Sequence, residues 1–244
     1  MLPKHIFFDL DDTLTPSRTP MTLEHTRLFV DLCNRRDVIV VSGAQESQMK
    51  KQLPPDASGL YYILSQNGNH AIGKDATTLW KEGFSHKQVE AIMSFIQRIH
   101  DELRLEVKDE NNLVENRGSQ ISYSLIGHDE DRAVKKAFDP GGPKRKAILA
   151  EHKTDVEQLR AEGIEVTVGG TTCLDIFLLG KNKGFHVPRL IEHEGWTKEE
   201  SLYVGDALEP GRNDESVIGV IPTHQVKDPD DTFTFIQNNL LAQR

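Results

Sequence analysis

Short apolar runs that alternate with helical patterns are the feature that most constrains the fold of this chain. The first half reads "HIFF", "TLEHTRLFVDLCNRR", "VIVVSG" and "LYYILSQNG" in turn, and the rhythm returns late in "SLYVGD" and "VIGVIPT", before a closing helix around "DTFTFIQNNLLAQR". Continuous apolar runs separated by helical segments are typical of a parallel sheet that is buried on both faces. The pattern therefore predicts an α/β fold with a doubly wound, Rossmann-like parallel sheet.

The middle of the chain follows a different pattern. Ser85 and Gln88 have the spacing of a capping box. The apolar residues that follow share one helical face: Val89, Ile92, Met93, Ile96, Ile99 and Leu103. The next stretch, "QISYSLI", alternates apolar and polar residues, which predicts a strand with one polar face. After the loop-like "FDPGGPKRK", a helix is predicted over "KRKAILAEHKTDVEQLRAEG" and two strands over "IEVTVGG" and "CLDIFLL".

Strand pairs with helices on one face describe an α+β unit. Because this unit interrupts the parallel pattern, we expect it to be a cap inserted between the two halves of a core domain. The expected boundaries place the core in residues 1–82 and 182–244, and the cap in residues 83–181. We expect an active site in the cleft between the two domains.

Charge and cysteine usage disfavour several classes of protein. The 244-residue chain has a formal net charge of −9 and no concentrated Lys/Arg stripe, so we expect no nucleic-acid partner and no membrane partner. No window approaches the ~20 apolar residues that cross a bilayer, and no signal-peptide pattern opens the chain. Cys33 and Cys173 form no CxxC pair, which favours free thiols. We expect a cytoplasmic protein.

The first apolar run ends in a group of carboxylates. "HIFFDLDDTLTP" places Asp9, Asp11 and Asp12 directly after or close to apolar residues. Like charges at this density repel one another unless water solvates them, a cation binds them or their pKa values move apart. Taken alone, the motif is explained as an acidic turn or a helix N-cap, and Asp12 is interpreted as a solvated turn residue.

Three other loop-like stretches also follow predicted strands. They are "SGAQ" at Ser42, "GKNKG" at Lys183 and "GDALEPGRND" over residues 205–214. In an open parallel sheet, ligands bind in the crevice outside the carboxyl ends of the strands. We therefore expect all four stretches to meet there.

The residue types in these stretches suit phosphoryl chemistry. Hard oxygen ligands for Mg²⁺ come from four carboxylates: Asp9, Asp11, Asp206 and Asp214. Lys183 supplies a positive charge, and the hydroxyls of Thr13 and Ser42 supply donors. A cation, an ammonium group and hydroxyls that converge on one point form a phosphoryl site. In such a site one carboxylate attacks phosphorus and a second one moves a proton to and from oxygen; Asp9 suits the first role and Asp11 the second.

With these four ordered motifs, the chain resembles the haloacid dehalogenase (HAD) superfamily. The insert resembles the larger α/β cap (type C2B) of its type IIB branch. Within that branch the chain is most similar to the eukaryotic phosphomannomutases and related sugar-phosphate phosphatases, over nearly its whole length. The similarity lies in "DDTLTPSR", "LSQNG", "ENRGSQISYSLIGH", "GGTTCLDIFLLGKNKG" and "GDALEPGRND".

The resemblance implies a cofactor and a set of site residues. It implies a metal site in which Asp9, the main-chain carbonyl of Asp11 and Asp206 bind Mg²⁺ and Asn213 and Asp214 support the site. It further implies that cap residues bind a phosphorylated sugar, a role that falls by motif position to Arg117 and Asp175, with Arg18 contributing from the core. A homodimer formed through the cap is also implied.

Three positions depart from the mutase pattern. His128 stands where that pattern has an arginine after "IG", Cys173 stands where it has a serine, and Asp12 stands where glycine is usual. His128 binds phosphate only when protonated, and Lys135 or Arg132 could substitute for the missing arginine.

A mutase holds its sugar in two orientations. The loss of a fixed bidentate phosphate clamp therefore disfavours isomerisation. We expect a Mg²⁺-dependent sugar-phosphate phosphatase that works through an aspartyl-phosphate at Asp9. The alternatives are an isomerase that interconverts hexose 1-phosphate and 6-phosphate, and a non-catalytic sugar-phosphate-binding protein.

Overall fold

The structure is a computed structural model that describes residues 2–210 and 212–242. The chain divides into two compact units. Met1–Lys81 and Lys181–Arg244 together form the first, which we call the core unit, and Glu82–Gly180 forms the second, the cap unit. Among the described residues, no helix combines the length and the apolar character that crossing a membrane requires.

A seven-stranded sheet organises the core unit. Its strands are β1 (His5–Asp9), β2 (Asp37–Val41), β3 (Tyr61–Ser65), β4 (His70–Ile72), β5 (Thr78–Lys81), β10 (Ser201–Gly205) and β11 (Thr223–Gln225). Their order is β11-β10-β1-β2-β3-β4-β5, in which the first five strands are parallel and β4 and β5 are antiparallel. The parallel part confirms the predicted fold class.

Helices cover both faces of this sheet. They are α1 (Leu23–Arg35), α2 (Glu46–Gln52), α7 (Lys183–His193) and α8 (Pro229–Phe235). Phe29 of α1 and Phe233 of α8 are buried against one face with Ile6 and Phe8, whereas α7 packs on the other face. Continuous apolar strands are stable in this setting because both sides of each strand are removed from water.

The cap unit is an α+β unit, as its patterns predict. Its antiparallel sheet has the order β6-β7-β9-β8 and consists of β6 (Val114–Asn116), β7 (Gln120–Ser124), β8 (Ile164–Gly169) and β9 (Cys173–Leu178). Its helices are α3 (His86–Leu103), α4 (Arg132–Phe138), α5 (Pro143–Glu151) and α6 (Lys153–Ala161). The capping box at Ser85 and Gln88 is present in full. On α3, however, Met93 is 41% exposed and Phe95 is buried instead.

Several predicted elements differ from the structure. "VIGVIPT" is a turn after the 3₁₀ helix Glu215–Val217, and β11 begins only at Thr223, because Gly219 has a left-handed φ and Pro222 lacks an N–H. The long predicted helix breaks at His152, between α5 and α6. "FDPGGPKRK" holds the end of one helix and the start of the next, while β4 and β5 have no predicted counterpart.

Candidate active site

Three neighbouring strands bring carboxylate and hydroxyl side chains to one edge of the core sheet. Strand β1 lies between β2 and β10 and is parallel to both. Asp9 is the last residue of β1, Ser42 directly follows β2, and Asp206 directly follows β10. The carboxyl ends of these strands therefore present two carboxylates and a hydroxyl at the same edge.

Lys183 joins two buried carboxylates at this edge. It is the first residue of α7, whose N-cap Asn182 accepts the Phe185 N–H through its side chain at 3.1 Å. Its Nζ donates to Asp9 Oδ1 at 2.6 Å and to Asp214 Oδ1 at 2.6 Å. All three side chains are almost fully buried, so the ammonium group screens two carboxylates that water does not reach.

The two oxygens of Asp214 have different surroundings. Oδ1 accepts from Lys183 and also from the Tyr203 hydroxyl, at 2.7 Å. Oδ2 is buried and has no hydrogen-bond partner among the described residues. A Cβ added to Gly205 would lie 2.4 Å from this Oδ2, so the glycine leaves the space that the carboxylate occupies.

Thr13 positions the third carboxylate of the group. Its Oγ1 donates to Asp206 Oδ1 at 3.1 Å and accepts the Asp206 main-chain N–H at 3.0 Å. Arg212 also approaches Asp206, with 3.5 Å between its Nη2 and Oδ2. Asp206 is therefore held from both its main chain and its side chain.

Burial dominates the electrostatics of this group. Burial raises the pKa of Asp9 to about 7, Lys183 opposes this shift and Asp214 adds to it. Burial likewise raises the pKa of Asp206. Burial lowers the pKa of Lys183, but Asp9 and Asp214 outweigh it and raise the pKa overall, so the ammonium keeps its proton.

The donor set fits a divalent cation. Carboxylate oxygens of Asp9, Asp206 and Asp214 all lie within 4.8 Å of one another. Three carboxylates and one ammonium group carry a net charge of −2 when ionised, which a divalent ion neutralises. Oδ2 of Asp214, which has no hydrogen-bond partner within the part of the chain that the structure describes, belongs to this group. Hard oxygen donors in this number suit Mg²⁺.

The loop after β1 is closed by its own carboxylates. Asp11 Oδ1 accepts the Arg18 main-chain N–H at 2.9 Å, and Asp12 Oδ1 accepts the Ser17 N–H at 3.1 Å. Asp12 has φ +60 and Arg18 has φ +57, a conformation in which glycine is most common. Asp12 thus closes this loop as an acceptor, and Arg18 is exposed to solvent.

Ser42 and Asn213 lie at the margin of the group. The Ser42 hydroxyl accepts the Ala44 N–H at 3.0 Å, which leaves its own hydrogen to donate elsewhere. Ser42 is 2% exposed, whereas Asn213 is exposed and precedes the buried Asp214. The structure therefore brings together five of the predicted residues through direct contacts or close approach: Asp9, Thr13, Lys183, Asp206 and Asp214.

In the cap unit, the predicted sugar-phosphate residues are partly neutralised by neighbours. Arg117 Nη2 donates to Glu115 Oε2 at 2.5 Å. Burial lowers the pKa of Arg117, but Glu115 and then Asp175 outweigh it and raise the pKa. Asp175 Oδ1 accepts the Ser122 hydroxyl at 2.6 Å, and a Cβ on Gly169 would overlap its Oδ2. The polar side chains of β7 are thus buried, and that of Ser122 is hydrogen-bonded to Asp175.

His128 and Lys135 bind main-chain groups of the cap. His128 Nε2 lies 3.1 Å from the Ser122 carbonyl oxygen, and because a carbonyl only accepts, Nε2 carries the hydrogen. Lys135 Nζ donates to the His128 carbonyl oxygen at 2.7 Å. Cys173 is half-buried, and its carbonyl oxygen accepts from Arg145. These contacts order the strand ends around β7 and β9.

Two contributors were missed at the sequence level. Tyr203, in the core unit, lies in a strand that otherwise reads as apolar, and its aromatic ring concealed the hydroxyl that binds Asp214. In the cap unit, Asp139 and Arg145 form a buried ion pair of 2.8 Å where the predicted loop leads into the predicted helix. A tyrosine two residues before the "GD" motif is the signal that could have revealed the first.

Curated relatives of the chain are phosphomannomutases. The phosphomannomutase of Saccharomyces cerevisiae is 29% identical over 241 residues, which is 93% of this chain and 90% of that protein. Phosphomannomutase 2 of Dictyostelium discoideum is 24% identical over 239 residues, or 95% of this chain and 94% of that one. The similarity thus extends across both the core and the cap units.

Solved structures with a similar fold are HAD-type proteins. A haloacid dehalogenase-like hydrolase from Bacteroides thetaiotaomicron gives a TM-score of 0.64 at 16% identity, over 96% of this chain and 98% of that one. A mutant IMP-nucleotidase of Plasmodium falciparum with bound IMP gives 0.64 at 13% identity, over 99% of this chain and 68% of that one. These similarities concern the fold.

The fold and the site together define a phosphoryl-transfer enzyme of the HAD superfamily. This result confirms the resemblance seen in the sequence motifs. The family model for eukaryotic phosphomannomutase matches residues 26–242. The chain therefore belongs to the eukaryotic phosphomannomutase family.

Proposed function

We propose that the chain is a Mg²⁺-dependent phosphatase that hydrolyses a sugar phosphate through an aspartyl-phosphate at Asp9. The observation that carries this proposal is the buried ammonium of Lys183, which lies 2.6 Å from both Asp9 and Asp214. Such an arrangement supports nucleophilic attack because the ammonium screens the repulsion between a carboxylate and a phosphate. A phosphorylated sugar is the substrate class that the phosphomannomutase relatives suggest.

Asp9, Asp206 and Asp214 would hold the magnesium ion, together with the main-chain carbonyl of Asp11 and with Asn213. The bound ion supplies positive charge that offsets the repulsion between the nucleophile and the phosphate. Burial raises the pKa of Asp9 to about 7, so added positive charge favours the ionised form that attacks. In this arrangement Thr13 orients Asp206 rather than the phosphate.

In the first step, a carboxylate oxygen of Asp9 forms a bond to phosphorus as the bond from phosphorus to the sugar oxygen breaks. Asp11 gives its proton to that oxygen. In the second step, water attacks phosphorus while Asp11 takes a proton from it, and Asp9 is released as a carboxylate. Asp11 suits this role because Oδ1 is held by the Arg18 N–H, which fixes the carboxyl group. The free hydrogen of Ser42 would bind the transferring phosphoryl group.

Hydrolysis, in preference to isomerisation, is supported by the contacts of the cap residues. His128 replaces the expected arginine and uses its Nε2 hydrogen for the Ser122 carbonyl. Arg117 is already paired with Glu115. A mutase must hold a second phosphate firmly while the sugar turns over, and charged groups bound to their own neighbours serve that purpose poorly. The proposed contacts for the sugar phosphate remain Arg18, Arg117, His128, Lys135, Cys173 and Asp175.

An isomerase is the second candidate, and family membership favours it. The relatives that span more than nine-tenths of this chain are named phosphomannomutases. The proposed chemistry at Asp9 and Asp11 is the same in both cases. The two functions differ in whether water or a sugar hydroxyl takes the phosphoryl group.

The deciding experiment incubates the protein with Mg²⁺ and mannose 1-phosphate or glucose 1-phosphate, with and without the corresponding 1,6-bisphosphate. Free phosphate and hexose 6-phosphate are measured together. We expect free phosphate to accumulate, and we expect Asp9→Asn to abolish it while the exposed-site control Asp75→Asn retains it. Accumulation of 6-phosphate that depends on the bisphosphate, with little free phosphate, would instead establish the mutase.

The homodimer through the cap and the cytoplasmic location stay predictions. Light scattering after size-exclusion chromatography tests the first, and fractionation of the source cells tests the second. Exposed residues of the cap, such as Met93 and Val134, are suitable sites for disrupting a dimer if one forms.

A further inference from the structure

The Tyr203 hydroxyl contacts the buried charged group of Asp9, Lys183 and Asp214, although the proposed phosphoryl transfer gives tyrosine no step. Tyr203 is 0% exposed, and its hydroxyl donates to Asp214 Oδ1 at 2.7 Å. Lys183 Nζ donates to the same oxygen at 2.6 Å. Burial, followed by the charge of Asp214, raises the pKa of Tyr203 well above its usual value, so the hydroxyl remains a donor. One carboxylate oxygen thus receives two donors.

The other oxygen of Asp214 receives none. Oδ2 is buried without a partner among the described residues, and it packs over Gly205. The two oxygens of a carboxylate are chemically equivalent, so a half-turn about the Cβ–Cγ bond gives the same arrangement, and what the surroundings set is the angle of the carboxylate plane. A buried oxygen without a donor is unfavourable unless something else binds it.

Strand geometry explains how Tyr203 can set the angle of the Asp214 carboxylate. Residues two apart in a strand share a face, so the ring of Tyr203 and the open space above Gly205 lie side by side. A Cβ on Gly205 would come within 3.0 Å of Tyr203 Cε1 as well as within 2.4 Å of Asp214 Oδ2. The ring and the carboxylate thus pack together over the glycine, and the ring holds its hydroxyl at a fixed point.

We propose that Tyr203 is a positioning residue that fixes the rotation of the Asp214 carboxylate, so that Oδ1 holds Lys183 and Oδ2 is kept for the shell of the cation. This inference rests on the proposed function, because it needs a cation at Asp9, Asp206 and Asp214. Without the hydroxyl, Oδ1 keeps one donor in place of two, and the carboxylate can turn. Both the cation site and the position of Lys183 then become less well defined.

The test compares Tyr203→Phe with Tyr62→Phe. The control removes a hydroxyl that donates to Glu194 at 2.8 Å, away from the carboxylate group. Binding of Mg²⁺ is measured by calorimetry and binding of Mn²⁺ by electron paramagnetic resonance. For Tyr203→Phe we expect about tenfold weaker metal binding and a kcat lowered by about tenfold, with KM changed less than twofold. The Tyr62→Phe variant should match the unaltered protein in all three.

A double variant separates positioning from a general packing effect. If Tyr203 acts through Asp214, then adding Tyr203→Phe to Asp214→Asn should change metal affinity less than twofold further, because the partner is already altered. A full tenfold loss in that background would contradict the proposal. So would a folded Tyr203→Phe variant whose metal affinity equals that of the unaltered protein.

A measurement on the unaltered sequence keeps the test open if Tyr203→Phe fails to fold. The chain has four tyrosines, so fluorine NMR of protein labelled with 3-fluorotyrosine gives few signals, which Phe variants of the other three assign by elimination. Addition of Mg²⁺ should move the Tyr203 signal most, and an unmoved signal would overturn the proposal. These metal-binding readouts do not depend on turnover, so an inactive protein would count against the proposed function alone.

Discussion

The charged side chains of the core unit and those of the cap unit are satisfied in opposite ways. In the core, Lys183 bridges two buried carboxylates, and one oxygen of Asp214 has no hydrogen-bond partner among the residues that the structure describes. In the cap, Arg117 is paired with Glu115, and His128 donates to a main-chain carbonyl. The core group therefore carries excess negative charge that suits a cation, whereas the charged groups of the cap are largely paired with one another.

We interpret this difference as a division between phosphoryl chemistry in the core unit and substrate selectivity in the cap unit. A buried set of like charges costs stability, so its presence in the core favours a functional role for this group. In the cap, His128 stands where the sequence motif predicts an arginine, and its Nε2 hydrogen is used within the cap.

Replacing Lys183 removes the ammonium group that the two buried carboxylates of the core share. We expect Lys183→Met to lower kcat about a thousandfold. It should also lower the free energy of unfolding by about 3 kcal/mol, because two buried carboxylates lose their shared partner. Steady-state kinetics and denaturant titration measure the two effects, with the exposed Lys198→Met as the control. A Lys183→Met variant with near-normal kcat would refute the role of this residue.

The buried pair of the cap should matter for stability without entering the chemistry. Arg145 binds Asp139 and also donates to the carbonyls of Gly169, Gly170 and Cys173, so it fastens the turn between β8 and β9 to the start of α5. We expect Asp139→Asn to lower the free energy of unfolding by about 3 kcal/mol, because Arg145 stays buried without its partner.

The pH dependence of this pair has a definite sign. Burial raises the pKa of Asp139, but hydrogen bonds from Arg145 and from the Lys144 N–H outweigh it and hold the pKa below 3.8. A lowered pKa gives stability that is present above the unfolded value and is lost as the pH falls through the folded one. Denaturant titrations from pH 7 to 3 should show a smaller loss in Asp139→Asn than in the unaltered protein, in which Asp75, Glu130 and Glu200 also have lowered pKa values. Glu165→Gln, at a half-buried partner of Arg160, is the control.

The sequence predicted the strands that form the active-site edge of the core sheet much better than it predicted the side-chain contacts of buried polar residues. Apolar runs identified β1, β2, β3 and β10, and strand ends then located Asp9, Ser42 and Asp206. Periodicity reports burial, so it could not show that the buried Tyr203 makes a polar contact. It likewise placed Asp139 in a loop and Arg145 where that loop leads into a helix, and it gave no sign that either is buried, because charged side chains are usually exposed.

Short elements were also hard to predict for a physical reason. Strand β4 has three residues and β5 has four, too few for a pattern, and they are stabilised by pairing with β3 and with each other. Asp12 was interpreted as a solvated turn residue, and its φ of +60 and its bond to the Ser17 N–H show a loop-closing role that depends on the folded backbone.

An arginine at position 128 would give the cap the residue that the mutase pattern has there. With His128→Arg, a guanidinium fork replaces an imidazole whose Nε2 is engaged by Ser122. We expect the ratio of hexose 6-phosphate to free phosphate to rise about tenfold in the presence of the bisphosphate. His100→Arg, at the last turn of α3, is the control for added charge in the cap. An unchanged ratio in a folded His128→Arg protein would remove this explanation for hydrolysis.

The smallest expected effect links the cation to the titration of Asp9. Burial raises the pKa of Asp9 from 3.8 to about 7. A raised pKa gives stability that is complete below the unfolded value and is lost as the pH rises through the folded one, so the metal-free protein should become less stable between about pH 4 and 7. A bound cation favours the ionised carboxylate and should offset that loss.

The rise in Tm that Mg²⁺ produces over EDTA should therefore be a few degrees larger at pH 8 than at pH 5.5. Asp9→Asn should reduce this difference between the two pH values, because it leaves no carboxyl group to titrate at that position, while Asp206, whose pKa burial also raises, still contributes. The same rise at both pH values in the unaltered protein would show that the ion does not bind the ionised form of Asp9. The core unit would then be as complete without a cation as the cap is, and the contrast between the two units would rest on Lys183 alone.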